Sequence, residues 1–208
     1  MQTGLSLVSR KIGEVLVLGW DRGEVRRGAY PGSFNPLTLG HLAVAEAARD
    51  QCRLDVVDLI VSRVALAKEA VDRPRLEDRV AVLRAAAASR DWLEVVVTDQ
   101  QLIADVSAGY EVVVMGADKW AQVVDPAFYA GATSDRDAAV ASLPAVAVAP
   151  RPPFPVPDGV IALDVDHPAS SSAVREGRTD WMAPEAAAFD ESSGAWSDPE
   201  RYERWLAG

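Results

Sequence analysis

The chain is poor in the residues that build metal and redox centres. Its 208 residues include one cysteine, Cys52, and two histidines, His41 and His167. A single cysteine excludes an internal disulfide and fits a reducing cytoplasm. Cys52 closes a helical pattern and reads as packed or partly exposed. Two histidines far apart do not make a metal site, so no protein-held metal is expected. Cations are outnumbered 21 to 31, for a formal net charge of −10. That excludes the broad basic face that nucleic acids need. A small anionic ligand is still admitted, because a few cations and helix N-termini can reverse the field locally. No apolar run reaches the roughly 18 residues of a membrane span. The run within Glu14–Trp20 is also too short for a signal core. Neither a membrane nor a nucleic acid is expected as a partner, and the expected setting is cytoplasmic.

What is present is an alternation of apolar runs and helical patterns. Leu7–Val8 and Val15–Trp20 read as short strands before a turn at Asp21-Arg22-Gly23. Glu24–Tyr30, Leu54–Ser62, Glu94–Thr98, Glu111–Met115, Ala145–Ala149 and Val160–Val165 follow as strands. Between them, Leu39–Gln51 and Arg75–Ser89 read as helices, with Leu76, Val80, Leu83 and Ala87 on one face of the second. A weak helix covers Gln100–Ser107. Asp118–Val124 and Ser170–Glu176 are shorter. Beyond Arg178 the pattern fades until Asp198-Pro199 opens a last helix, with proline at its first position. This order predicts an α/β fold: a doubly wound, Rossmann-like parallel sheet with helices on both faces and a short C-terminal helical tail. The expected division is an N-terminal extension or extra strands at 1–24, one domain at 25–180, and a tail at 181–208 packed on it. Trp181, Trp196 and Trp205 are expected to pin that tail to the body.

Two strand-to-helix junctions carry the chemistry. In Gly32-Ser33-Phe34-Asn35-Pro36-Leu37-Thr38-Leu39-Gly40-His41-Leu42, Gly32 and Ser33 let the backbone approach a ligand closely. Thr38 is a good N-cap, which puts His41 in the first helical turn, where free N–H groups and a partial positive charge favour anions. Taken alone, Thr-x-Gly-His also reads as a capped helix with a solvent-facing histidine. In Ser170-Ser171-Ser172-Ala173-Val174-Arg175, three hydroxyls precede a helix start and a guanidinium follows one turn in. Alone, that run also reads as a simple cap. Gly116-Ala117-Asp118 follows a Val-rich strand, with Asp118 either a cap or a site carboxylate. Lys68 stands in a polar loop and by itself reads as a surface lysine. Arg79 either faces an acidic substrate or pairs with Glu77 or Asp78 on a solvated face. His167 reads as a loop residue, and base stacking by Trp120 is a weaker option.

The first stretch resembles the Gly-[Ser/Thr]-Phe-[Asp/Asn]-Pro and [His/Thr]-x-Gly-His signature of the nucleotidyltransferase superfamily. That superfamily includes the mononucleotide adenylyltransferases of NAD synthesis, phosphopantetheine adenylyltransferase and small cytidylyltransferases. The Ser170–Arg175 run resembles its second signature, Ser-Ser-[Ser/Thr]-x-[Ile/Val]-[Arg/Lys]. Gly116-Ala117-Asp118 and Arg151-Pro152 resemble the NAD-synthesis branch. Thr38 and the form of the serine run lean towards the pantetheine branch, and Gln100–Tyr110 lacks the Ser-Tyr-Thr helix start that helps seat nicotinamide. The resemblance runs from about Tyr30 to Pro184.

It implies transfer of AMP from ATP to the phosphate of nicotinate or nicotinamide mononucleotide, with release of pyrophosphate. The alternatives are adenylyl or cytidylyl transfer to another phosphorylated acceptor such as phosphopantetheine, or a catalytically silent nucleotide-binding protein. By resemblance, His41 holds the α-phosphate, the serine run binds the β- and γ-phosphates, and His41, Lys68 and Arg175 are catalytic. Gly32, Ser33, Phe34, Thr38, Gly116, Asp118, Ser170, Ser171 and Ser172 complete the nucleotide site. Mg²⁺ is expected to be carried by the nucleoside triphosphate. ATP and a phosphorylated small-molecule acceptor are the implied partners, with homo-oligomerisation left open.

Overall fold

The computed structural model describes residues 6–12, 15–21, 25–64 and 73–208. Near the N-terminus, β1 (Ser6–Ile12) and β2 (Val15–Asp21) pair antiparallel in a sheet of their own.

The body is a six-stranded sheet built from β3 (Arg27–Pro31), β4 (Val56–Ser62), β5 (Leu93–Thr98), β6 (Val112–Gly116), β7 (Ala145–Ala149) and β8 (Ile161–Ala162). Every pairing in it is parallel, and the spatial order is β5-β4-β3-β6-β7-β8. The chain therefore builds outward from β3 in one direction, then returns to β3 and builds the other way. That is the doubly wound order with its switch between β3 and β6. The fold class expected from the alternation holds.

Parallel strands buried on both faces read as continuous apolar runs, and successive side chains feed opposite layers. Val57, Leu59, Val61, Val112, Val114, Ala147 and Ala149 join one core with α1 (Leu39–Cys52), α2 (Leu76–Ala88) and the tail helices α7 (Pro184–Ser193) and α8 (Pro199–Ala207). Ala29, Ile60, Val113, Met115 and Val148 join the other with α3 (Ile103–Val106) and α4 (Ala117–Val123). Burial along α2 falls on Arg79, Val80, Val82, Leu83 and Ala86, and Leu76 and Ala87 pack partly buried against the same core, as expected.

Several elements differ from the sequence reading. The helix expected over Gln100–Ser107 shrinks to the four residues of α3. The last strand shrinks to Ile161–Ala162, on an exposed edge. Helix α5 (Thr133–Ala141) was not anticipated: it has no fully buried residue and only Val140 packs partly on the second core, too little for a readable stripe. The short α6 (Ser171–Arg175) stands where expected. In the tail, Trp196 is buried, whereas Trp205 is 43% exposed and stacks on Tyr202. Trp205 therefore packs along the tail and does not anchor it in the core. Trp120 packs against the second core instead of standing free for a base.

On the amino-terminal side of the sheet, buried Asp58 of β4 accepts two bonds from Arg27, at 2.9 and 2.6 Å, and Arg27 also reaches Glu94 at 2.5 Å. This cross-strand tie raises the guanidinium pKa, chiefly through the bond to Asp58. Tyr110 beside it is pushed up to about 12, first by burial and then by Asp58.

Candidate functional site

The site forms where β3 and β6 part. Their pairing stops at Ala29↔Val113, while β3 and β4 stay paired to Pro31↔Ile60. Ligands of doubly wound sheets bind in this crevice, outside the carboxyl ends of the strands. Tyr30 lies there, buried, and the first motif follows directly.

The loop from Gly32 to Thr38 is held by its carbonyls. Ser33 O accepts from Arg79 at 2.7 Å, Pro36 O from the Ser171 hydroxyl at 2.8 Å, and Leu37 O from Ala183 N at 3.0 Å. The Arg175 guanidinium donates to Asn35 O. Gly32 N donates to Ile60 O at 3.0 Å, tying the loop to β4. Phe34 sits at φ 45°, in the left-handed region, and this folds its ring back under Gly32. A Cβ on Gly32 would meet that ring at 3.0 Å.

His41 is the third residue of α1 and closes a capping box with Thr38. The Thr38 amide donates to His41 Nδ1 at 3.0 Å, and the Thr38 hydroxyl lies 2.9 Å from the same nitrogen. With Nδ1 accepting, the ring proton belongs on Nε2. The ring packs edge-on against Phe34, centroids 5.1 Å apart, and lies near Tyr30. Desolvation, helped by the nearby charge of Arg151, lowers the His41 pKa to about 3. The imidazole is thus a neutral, oriented donor at ordinary pH. Thr38 is fully buried and Phe34 is 2% exposed, so both serve His41 from beneath.

The second motif meets the first through Ser171 on Pro36 O and Arg175 on Asn35 O, and α1 closes on the residue just before it. A Cβ on Gly40 would lie 2.4 Å from Ala169 O, so only glycine lets α1 approach the residue before Ser170 this closely. Ser170 caps α6 through Ala173 N, and Ser171 is spent on Pro36 O. Ser172 is exposed and accepts from Arg175 at 3.3 Å. Arg151 of the β7 exit also donates to Ala169 O, at 3.2 Å. Gly116 sits beside Asp118 and Arg151: its Cβ would meet Asp118 Oδ1 at 2.4 Å and Arg151 Cγ at 3.1 Å. Burial raises the Tyr30 hydroxyl pKa well above its ordinary value, with Arg151 opposing the shift and Asp118 adding to it.

Of the residues singled out in the sequence, Gly32, Ser33, Phe34, Thr38, His41, Gly116, Asp118, Ser170, Ser171, Ser172 and Arg175 gather at this crevice. Lys68 lies outside the described residues. Of the two readings of Arg79, the solvated face fails: the residue is 7% exposed, braces Ser33 and lines the cleft beside the first motif. Its position three residues after Leu76, on the apolar face of α2, was the available signal. The pairing of Asn35 with Trp196 was missed, although Trp196 was expected to pin the tail and is buried. No local pattern links two residues 161 positions apart, yet the indole N–H donates to Asn35 Oδ1 at 2.7 Å.

Beside the first motif, a cleft of about 210 Å³ opens over the ends of β3, β4 and β5. Its polar lining comes from Ser33, Ser62, Arg63, Arg79, Thr98, Gln100, Gln101 and Lys119. Among the described residues, no group of three or more His, Cys, Asp or Glu is placed to hold a metal ion. Nor is any helix among them long and apolar enough to cross a membrane.

Residues 29–177 match the cytidylyltransferase-like family. Phosphopantetheine adenylyltransferase of Paracoccus denitrificans (strain Pd 1222) is 42% identical over 60 residues, 29% of this chain and 34% of that protein. The probable nicotinate-nucleotide adenylyltransferase of Gloeobacter violaceus (strain ATCC 29082 / PCC 7421) is 35% identical over 74 residues, 36% of each chain. The chain thus spans about a third of the length of these curated relatives. Among solved structures, Plasmodium falciparum nicotinic acid mononucleotide adenylyltransferase complexed with NaAD superposes with a TM-score of 0.61. It is 12% identical, over 84% of this chain and 98% of that one, and at that identity the likeness is one of fold. The same protein complexed with APC gives a TM-score of 0.60.

Proposed function

The chain belongs to the cytidylyltransferase-like family, and from that premise we propose that it transfers AMP from Mg²⁺-bound ATP to the phosphate of a small acceptor, releasing pyrophosphate. The observation that carries the proposal is the meeting of the two motifs at Gly40 and Ala169, with a neutral His41 held by Thr38 at the same helix end. An acceptor phosphate oxygen attacks the α-phosphorus, the bond from that phosphorus to the α,β-bridging oxygen breaks, and the β- and γ-phosphates leave as pyrophosphate. No covalent enzyme intermediate is required. The protein's part is alignment of the reactants and donation to phosphate oxygens. His41 Nε2–H donates to the α-phosphate. Ser172, Arg175 and the Ser170–Ser171 backbone take the β- and γ-phosphates, and Gly116 and Asp118 line the nucleoside side. Lys68 is assigned to the phosphates as well. Mg²⁺ enters with the triphosphate, which fits a site whose cations and donors outnumber its carboxylates.

The acceptor is assigned to the cleft over β3, β4 and β5, because it opens on Gly32 and Ser33 from the side of the switch opposite Gly116. Nicotinate or nicotinamide mononucleotide is the first acceptor class, in keeping with the Gloeobacter relative. Phosphopantetheine is the second, favoured by Thr38 and the Paracoccus relative. The proposed setting is the cytoplasm. The test is pyrophosphate release from Mg–ATP, and separately Mg–CTP, across nicotinate mononucleotide, nicotinamide mononucleotide and phosphopantetheine. Tight ATP binding with no release for any acceptor would mark a nucleotide-binding protein instead.

A further inference from the structure

We infer that Trp196, in the turn between α7 and α8, is a positioning residue for the first phosphate motif and acts through Asn35; the inference rests on the transfer reading above. The sequence places them 161 residues apart, but the fold seats the indole beneath the loop. Trp196 is 7% exposed and Asn35 is 6% exposed. The indole N–H donates to Asn35 Oδ1 at 2.7 Å, and the Asn35 amide nitrogen reaches Arg73 O at 3.4 Å. The backbone oxygen of the same asparagine accepts from Arg175. Asn35 thus joins three elements: the tail, the entrance to α2 and the second motif.

The tail is built to present that indole. Buried Asp190 accepts from Trp196 N at 2.7 Å and from Ser197 N at 3.0 Å. Arg201 donates to Asp190 O at 2.7 Å, and Phe189 packs edge-on to the indole at 5.9 Å. Two further contacts bind the tail to the motif: Ala183 N donates to Leu37 O at 3.0 Å, and Thr38 bridges to Met182. A tail that served only to cover apolar surface would not need a buried, directed N–H on the asparagine that precedes Pro36. Its effect is to fix the backbone from Asn35 to Thr38, and Thr38 fixes His41.

Trp196→Phe keeps an aromatic ring and removes the donor. The expected result is a fall in kcat for pyrophosphate release of about tenfold or more, with KM for ATP changed by less than about threefold. Faster amide hydrogen exchange is expected across residues 32–42. Asn35→Leu removes the acceptor from the other side and should reproduce both effects. It also keeps the test open if Trp196→Phe does not fold. The double variant should be no worse than the poorer single one, because both act through one contact. Wild-type kcat and wild-type exchange in a folded Trp196→Phe protein would overturn the inference. So would additive losses in the double variant. If the wild-type chain transfers no nucleotide, the transfer reading falls, and the exchange measurement alone decides whether Trp196 fixes the loop.

Discussion

Gly40→Ala is the sharpest test of the site, because it alters one atom where α1 closes against the backbone just before the serine run. The added Cβ would lie 2.4 Å from Ala169 O, and ordinary contact begins at 3.4 Å. Relieving the overlap requires α1 and the Ala169–Ser170 segment to separate by about 1 Å, because the obstructing atom is backbone and cannot swing aside. Overpacking of this size costs about 1–3 kcal/mol, and alanine in place of helical glycine returns about 0.5–1 kcal/mol. The net loss is about 0–2.5 kcal/mol, or a Tm drop of up to about 10 °C for a chain of this size. The protein therefore stays folded. Catalysis is more exposed, since a 1 Å misplacement of aligned groups costs on the order of 10²-fold. Thermal melting and steady-state pyrophosphate release separate the two effects. A folded Gly40→Ala protein with wild-type kcat/KM would refute the argument that contact of the motifs sets the triphosphate geometry.

Further outcomes follow from the same geometry. His41→Ala should lower turnover by about 10²–10³-fold, the usual loss for one oriented donor, and melt within a few degrees of wild type; near-normal turnover would remove His41 from the site. Because His41 titrates at about 3, it stays neutral across the working range, so the kcat/KM profile should show no His41 inflection near pH 6.5; a profile with that inflection, abolished in His41→Asn, would contradict the assignment. The linkage has a definite sign: the unfolded chain takes up this proton below 6.5 and the folded chain does not until about 3. His41 therefore contributes stability above pH 6.5 that is lost as pH falls through that window, at no more than about 1.4 kcal/mol per pH unit, and pH-dependent urea melts of wild type and His41→Asn should differ there. Asp58→Ala leaves the partly exposed Arg27 with Glu94 alone and should cost about 1–3 kcal/mol in urea denaturation. Its turnover per folded molecule should hold, and a selective loss of kcat would mean that the tie reaches the site.

The fold was legible wherever burial demanded a pattern. Leu54–Ser62 and Glu111–Met115 read as strands because parallel strands covered on both faces must be apolar almost throughout. Helix α5 was not legible, because it has no fully buried residue and only Val140 packs partly against the core, too little for a stripe. The two readings of Arg79 were not separable in the sequence, because a charged residue on an apolar face is deciphered only when its buried partner, Ser33 O, is known. Of the candidate site, the two motifs and their caps were visible as local signals, since N-caps and close-approach glycines act over three or four residues.

The sequence by itself determined the alternation of elements, the phosphate-friendly helix starts and the identity of His41. Tertiary structure alone decided that Gly40 touches Ala169, that Arg151 stands beside Asp118, and that Trp196 reaches Asn35. The physical reason is range. Hydrogen-bond caps and apolar periods are written within one or two turns of chain. The meeting of segments more than a hundred residues apart is set by the order in which strands join the sheet, and no local pattern encodes that order.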